Sequence, residues 1–250
     1  MTKTRKKEPF IRAIELHRDK VPDPKPYPFS IPAIATLTKL TMHPEVTFFI
    51  GENGSGKSTL LEAIAVAAKF NPEGGSQNFH FETERSHSEL GDFLRLVRGI
   101  RRPKTGFFLR AESFFNVATE VDRLGATDAY GGKSLHRQSH GESFLSLFEN
   151  RFHADGLYLL DEPEAALSPQ RQLSFLAVLD ELVMEKGCQF IIATHSPIIL
   201  AYPQATIYSL DEGAITEVEY ERTSHYTLTR DFLVNRQRYL RKLLDVDKSE

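Results

Sequence analysis

The chain has 250 residues, enough for one large domain with its own core. Lys and Arg number 31 against 34 Asp and Glu, and the net charge of −3 leaves no chain-wide basic field of the kind a dedicated nucleic-acid binder carries. A single cysteine, Cys188, excludes an internal disulfide, and no stretch approaches the ~18 consecutive apolar residues of a membrane span, so the expectation is a cytoplasmic protein.

Lys3, Arg5, Lys6 and Lys7 are not followed by the apolar core of a signal peptide, and Met1 to Glu8 reads as a frayed tail. Phe10 to Leu16 alternates apolar and polar positions and predicts an opening strand. Val21 to Pro32 carries Pro22, Pro24, Pro26, Pro28 and Pro32. It predicts an extended surface segment ending near Ala33, because each proline lacks a backbone donor. Glu45 to Ile50 then reads as a short buried strand and Leu60 to Lys69 as a helix.

Between that strand and helix stands Gly51-Glu-Asn-Gly-Ser-Gly-Lys-Ser-Thr59, which satisfies G-x-x-x-x-G-K-[S/T], the phosphate-binding loop of nucleoside triphosphatases. Unpaired N–H groups and the helix dipole converge at such a turn and make an anion site. Asn53, Gly54, Ser55, Gly56, Lys57, Ser58 and Thr59 are the candidate nucleotide-binding residues. Lys57 is placed to meet the β- and γ-phosphates and the Ser58 hydroxyl to meet Mg²⁺.

Asn71 to Thr83 is rich in Gly, Asn and Ser and predicts a loop, with a short strand at Asn78 to Phe81. Leu90, Phe93, Leu94 and Val97 have helical spacing, with Gly99 as the stop. Gly106 to Ala111 predicts a buried strand, Ser113 to Leu124 a helix, Gly125 to His140 a loop, and Gly141 onward a helix through Phe144, Leu145, Leu147 and Phe148. Gly156 to Asp161 is another buried strand. Pro169 opens a long helix to about Glu185. Gln189 to Thr194 is the next strand and places Cys188 as a buried thiol. Thr206 to Leu210 and Ala214 to Glu219 form a hairpin, and Asp231 to Asp245 a C-terminal helix whose charged stretch Arg236 to Lys242 is a solvated face. Strands alternating with helices imply an α/β fold built on mainly parallel strands.

Leu157-Tyr-Leu-Leu-Asp161-Glu162 has the form of a Walker B strand, and it falls 104 residues after Lys57. Two carboxylates at a strand end divide the work: Asp161 holds Mg²⁺ and Glu162 polarises the attacking water. In this company the chain resembles the ABC-class ATPases, the superfamily shared by ABC transporters, SMC and Rad50 proteins, RecF and OLD-type ATPases. The resemblance implies a P-loop NTPase fold with an ABC-type mixed sheet, flanking helices and a helical signature subdomain at about 86–155, all within one domain spanning 1–250.

Under that resemblance Ser139-His-Gly-Glu-Ser143 stands at the signature motif, 20 residues before Asp161 counted from Gly141. Ser139 and Gly141 keep the family's serine–glycine element, whereas His140 and Glu142 depart from it. In the family this motif faces the γ-phosphate bound to the opposite subunit; a locally capped helix start is the other reading. His195, in Ala-Thr-His-Ser-Pro197, resembles the switch histidine that meets the γ-phosphate and lytic water. Glu164 to Pro169 falls at the D-loop, with Ala166, Leu167 and Ser168 as its residues. Glu112 stands where the family has the Q-loop glutamine, and reads equally as a metal-ordering carboxylate or a helix-start residue.

Tyr27 and Phe29 are candidates for stacking on adenine or for pinning the proline-rich segment. Arg12 and Arg18 are candidates for meeting a phosphate or for remaining solvated. His136 and His140 lack a matching cysteine pair and do not read as a zinc site.

The resemblance implies catalytic roles for Glu162, His195 and Lys57, the cofactors ATP and Mg²⁺, and an ATP-dependent homodimer that clasps the nucleotide between its halves. The partner is then a nucleic acid or a separate protein, with a permease as the alternative for a transporter subunit and DNA repair or phage defence as a further one. The distance from Ala111 to Ser139 is too short for a long coiled coil, and the expectation from the span after the hairpin is no nuclease module of the OLD type.

Overall fold

Residues whose side chains are buried on both faces of a strand form the central layer. The computed structural model describes residues 8–72, 74–75, 88–110, 148 and 150–244. In chain order these residues form β1 (Ile11–Leu16), α1 (Pro32–Thr36), β2 (Lys39–Thr41), β3 (Val46–Ile50), α2 (Lys57–Ala67), α3 (Leu90–Phe93), β4 (Leu94–Arg98), β5 (Thr105–Arg110) and β6 (Gly156–Asp161). They continue with α4 (Pro169–Met184), β7 (Gln189–Ala193), α5 (Pro197–Leu200), β8 (Ala205–Ser209), β9 (Thr216–Val218), α6 (Ser224–Val234) and α7 (Arg236–Leu244).

Six strands make one mixed sheet in the order β5-β6-β7-β3-β8-β9. The first five run parallel and β9 closes the edge as the antiparallel arm of a hairpin with β8. Every residue of β3, β6 and β7 is buried, as expected for strands covered on both faces. Alternation sorts their side chains. Phe48, Leu160, Ile192 and Phe107 point into one core cluster with Phe175 and Leu179 of α4. Phe49, Leu159, Ile191 and Phe108 point into the other, with Leu60, Leu61 and Ile64 of α2. A second, three-stranded antiparallel sheet has the order β2-β1-β4.

Gln189 joins the two sheets. Its Oε1 accepts from the N–H groups of Phe10 and Ile11 at 2.9 Å each, and its Nε2 donates to the carbonyls of Ile11 and His43, also at 2.9 Å each. Those four contacts use the whole hydrogen-bonding capacity of a primary amide.

Two expected elements differ. The helix over Leu90 to Val97 is one short turn, α3, followed by strand β4. Gly91 lies so close to α2 that a Cβ there would stand 2.8 Å from Val66 Cβ, which fixes the turn. The free edge of β1 then takes residues 94–98 as its antiparallel partner, Leu16 opposite Leu94 and Ile14 opposite Leu96. Gly99 accordingly ends a strand, its N–H donating to Phe10 O at 2.9 Å.

The C-terminal helix expected from Asp231 is two helices. α6 starts at Ser224, where the Thr223 hydroxyl accepts from Tyr226 N at 3.2 Å. It stops at Asn235, whose side chain donates to Asp231 at 2.7 Å while the Tyr239 hydroxyl donates to the same carboxylate at 2.6 Å. Asp231 therefore ties the bend between α6 and α7 rather than opening a helix.

The proline-rich segment is exposed from Pro22 to Tyr27, but Pro28 and Phe29 turn inward and Pro32 takes the first position of α1. Of the proposed 86–155 subdomain, the described part is α3, two strands and the end of the segment leading to β6; residues 111–147 lie outside the described residues. The short strand expected at 78–81 and the helix expected at 113–124 also lie outside them.

Candidate functional site

The parallel strands β3, β6 and β7 end at one edge of the sheet, where ligands bind in open α/β folds. Residues 51–56 follow β3, Asp161 closes β6 opposite Ala193, and Thr194 and His195 follow β7.

The loop after β3 curls through three left-handed glycines, Gly51, Gly54 and Gly56, at φ values of 146°, 82° and 99°. A Cβ on Gly56 would press 2.9 Å from Ile31 Cγ2. Gly56 also precedes α2, and no side chain caps the helix N-terminus. Lys57 is buried, and its Nζ donates to the carbonyls of Gly51 at 2.8 Å and Glu52 at 3.0 Å. Burial pulls its pKa down, against the opposing charges of Glu162, Asp161, Asp211 and Glu164.

Above the loop lies a cavity of about 360 Å³ walled by Asn53, Gly54, residues 56–59, Ile31, Tyr27 and Glu162. Tyr27 stands at its rim with its hydroxyl 3.1 Å from Thr59 Oγ1. Phe29 is core, edge-on to Phe93 at 5.5 Å. Arg18 is occupied elsewhere, donating to the carbonyls of Ile34, Ala35 and Leu37 at the end of α1, and Arg12 is an exposed residue of β1.

The residues present fit a triphosphate and a hard divalent cation. Ser55 Oγ is a buried polar atom with no hydrogen-bond partner among the described residues. The Ser58 hydroxyl donates to Asp161 Oδ1 at 2.9 Å, which sets a neutral and an anionic oxygen side by side, the ligand type that Mg²⁺ takes. Arg110, at the end of β5, lies 3.7 Å from the other Asp161 oxygen and 2.8 Å from Glu62.

Glu162 is held in the left-handed region at φ 51° and ψ 53°, unusual for a residue with a side chain, and its N–H donates to Ala193 O at 2.9 Å. Its carboxylate lies 3.6 Å from His195 Nε2. Glu164 fixes the segment that carries the histidine: its carboxylate accepts from the Thr194 hydroxyl at 2.7 Å and from the His195 N–H at 2.6 Å. The other ring nitrogen of His195 meets His225 of α6 at 3.1 Å. Ala166 and Leu167 lie in the turn after Glu162, and exposed Ser168 stands before α4 without capping it through its side chain.

Lys57, Ser58, Asp161, Glu162 and His195 are thus brought together from β3, β6 and β7. Ser139, Gly141, Glu142 and Glu112 lie outside the described residues, as do His136 and His140.

Three neighbours of the site had no signal in the sequence. Arg110 reaches it only through strand order, whereas Glu164, which opens the D-loop segment, follows Glu162 by two residues. His225 lies 30 residues beyond His195 on a polar stretch. Asp211 sits in what reads as a plain hairpin turn, yet its carboxylate accepts from Glu52 N at 2.9 Å and tethers the start of the phosphate loop.

Known proteins are similar to this chain. A family model described as an AAA ATPase domain matches residues 135–200, and another described as an AAA domain matches residues 34–117. The cytochrome c biogenesis ATP-binding export protein CcmA of Rhizobium johnstonii is 31% identical over 176 residues, covering 64% of this chain and 80% of that protein. The lipoprotein-releasing system ATP-binding protein LolD of Chromohalobacter salexigens is 26% identical over 188 residues, covering 67% and 78%. Among solved structures, cbiO1 from Clostridium perfringens, part of the ABC transporter complex cbiONQ, aligns at 18% identity and a TM-score of 0.46, covering 83% of this chain and 91% of that one. Identity of 31% across four-fifths of an ATP-binding export protein, on a chain that carries its phosphate loop and paired carboxylates at one sheet edge, is a family relationship: this chain belongs to the ABC-type ATP-binding proteins, a family of ATPases.

Proposed function

We propose that the chain hydrolyses ATP with Mg²⁺ inside a dimer of two facing copies, each closing the other's site. The observation that carries this reading is the contact of Ser58 with Asp161 at 2.9 Å, beside a Glu162–His195 pair at 3.6 Å. Residues 53–59 wrap the phosphates with backbone N–H groups, and Lys57 exchanges its loop carbonyls for phosphate oxygens. Ser58 and Asp161 would hold Mg²⁺, which when bound neutralises charge on the β- and γ-phosphates. Glu162 accepts a proton from the attacking water, and His195 donates toward the γ-phosphate. Ser139, Gly141 and Glu142 of the opposite copy complete the phosphate contacts, and Ala166, Leu167 and Ser168 carry the state of one site to the other.

Substitution Glu162→Gln tests this. It keeps shape and removes the base, so turnover falls by about 10²–10⁴-fold while ATP binding persists. Mass by light scattering should double with ATP and Mg²⁺ and remain doubled. Turnover within tenfold of wild type, or a monomer at saturating ATP, refutes the proposal.

The names of the relatives favour one partner: a separate membrane permease served by this chain as its ATP-binding subunit. Among the described residues no helix is long and apolar enough to cross a membrane, so the permease would be another chain. Recovery of a membrane protein with the trapped Glu162→Gln dimer supports that partner. DNA-stimulated turnover without such recovery points instead to nucleic acid.

A further inference from the structure

We propose that His225 is a positioning residue for ATP turnover, holding His195 in the tautomer that carries its proton on Nε2; this rests on the reading of Glu162 and His195 given above. His195 Nδ1 and His225 Nε2 are 3.1 Å apart, and the ring centroids are 5.3 Å apart at 46°, so the contact is between nitrogens rather than a stack of faces. One of the two nitrogens carries the shared hydrogen, and the surroundings decide which. Were His195 the donor, its bare Nε2 lone pair would face Glu162 Oε1 at 3.6 Å, acceptor against acceptor. With His225 donating, His195 Nδ1 accepts and Nε2–H faces the Glu162 carboxylate, which itself lines the phosphate cavity. That Nε2 atom is buried and has no hydrogen-bond partner among the described residues. It is therefore a donor held ready for substrate.

The supports of His225 match this role. Thr223 is 2% exposed and fixes the start of α6 through two bonds, accepting from Tyr226 N at 3.2 Å and donating to Tyr220 O at 2.8 Å. The Tyr220 hydroxyl donates to Pro197 O at 2.9 Å, two residues past His195, so the helix start and the histidine segment move together. Ser224 Oγ lies 3.5 Å from His225 Nδ1, the nitrogen left to accept once Nε2 donates. Burial, then the neighbouring His195, pushes the His225 pKa down, which keeps its ring neutral with a single proton to give.

Two substitutions separate positioning from packing. His225→Phe keeps a ring and loses the donor; His225→Gln places an amide N–H near the position of Nε2. With the full chain, ATP and Mg²⁺, His225→Phe should lower kcat by about tenfold, the scale of one lost hydrogen bond, with KM within twofold and Tm within a few degrees. His225→Gln should return kcat to within about threefold of wild type. On a His195→Ala background, adding His225→Phe should cost nothing further.

Wild-type kcat in His225→Phe, equal losses in Phe and Gln, or losses that multiply in the double variant each overturn the inference. Turnover abolished by Glu162→Gln but untouched by His225→Phe overturns this inference alone. Turnover that survives Glu162→Gln overturns the reading of the site and this inference with it.

Discussion

Substitution Gln189→Leu cuts the four bonds between the sheets while keeping side-chain volume. The N–H groups of Phe10 and Ile11 lose the oxygen they share, and the carbonyls of Ile11 and His43 lose an amide donor. Phe10 and Ile11 are 2% and 0% exposed, so water does not replace the lost partner without opening the sheet junction. A buried backbone group left unpaired costs about 1–3 kcal/mol, so two donors alone put the loss at about 2–6 kcal/mol. Local shifts recover part of this, and about 3 kcal/mol is the expected value. A domain's total stability is about 5–15 kcal/mol, so this one side chain carries a large share of it.

The chain has no tryptophan, which makes far-UV circular dichroism in urea the practical assay. The midpoint should fall with the slope unchanged, and the folded fraction should keep wild-type ATP turnover, because the site lies at the other end of β7. A loss under about 1 kcal/mol, or a lowered kcat at full folding, refutes the reasoning.

Glu164→Ala removes the acceptor for both Thr194 and the His195 N–H. Hydrogen bonds to a charged group contribute about 1.5–3 kcal/mol, so kcat should fall by at least about tenfold with ATP affinity intact; phosphate release within twofold of wild type would contradict it. Stability should also decline as pH falls from 7.5 to 5. Burial lowers the pKa of both His43 and His225 below the usual 6.5, so below that value the unfolded chain binds more protons than the folded one. This contribution is complete above pH 6.5 and is lost as pH drops through the folded values. His43 Nδ1 accepts from the N–H groups of Glu45 and Val46 at 3.2 Å, so His43→Asn, which keeps an acceptor without titrating, should flatten the urea-midpoint profile; an unchanged slope would exclude His43 as a cause.

The parts of the fold buried on both faces were legible in the sequence. Val46–Ile50, Gly156–Asp161 and Gln189–Ala193 are apolar runs bounded by turns, and their order alone brings the phosphate loop, Asp161 and His195 to one edge. The family resemblance draws on those residues and on Ser139–Ser143, which lie outside the described residues. Elements set by distant neighbours were not legible. Leu90, Phe93, Leu94 and Val97 fit a helical period, yet Leu94 and Leu96 also alternate with Arg95, and only the open edge of β1 decides between the two. β2 has three residues, too few for any period to register. α6 opens on Ser224, His225, Tyr226 and Thr227, weak helix formers, and begins on a Thr223 cap that a turn uses equally well. Arg110 and His225 belong to the site through strand order and helix placement, which no local pattern encodes.

The left-handed backbone at Glu162 has a consequence for the history of this chain. A side-chain-bearing residue in that conformation gives up about 1–2 kcal/mol, which glycine would not. In return the backbone that carries the carboxylate is fixed, its N–H anchored on Ala193 O at 2.9 Å and the ring of Pro163 following it. The direction in which this side chain departs is set by a bent main chain, so a search for hardier variants and a search for faster ones would choose opposite residues at this one position.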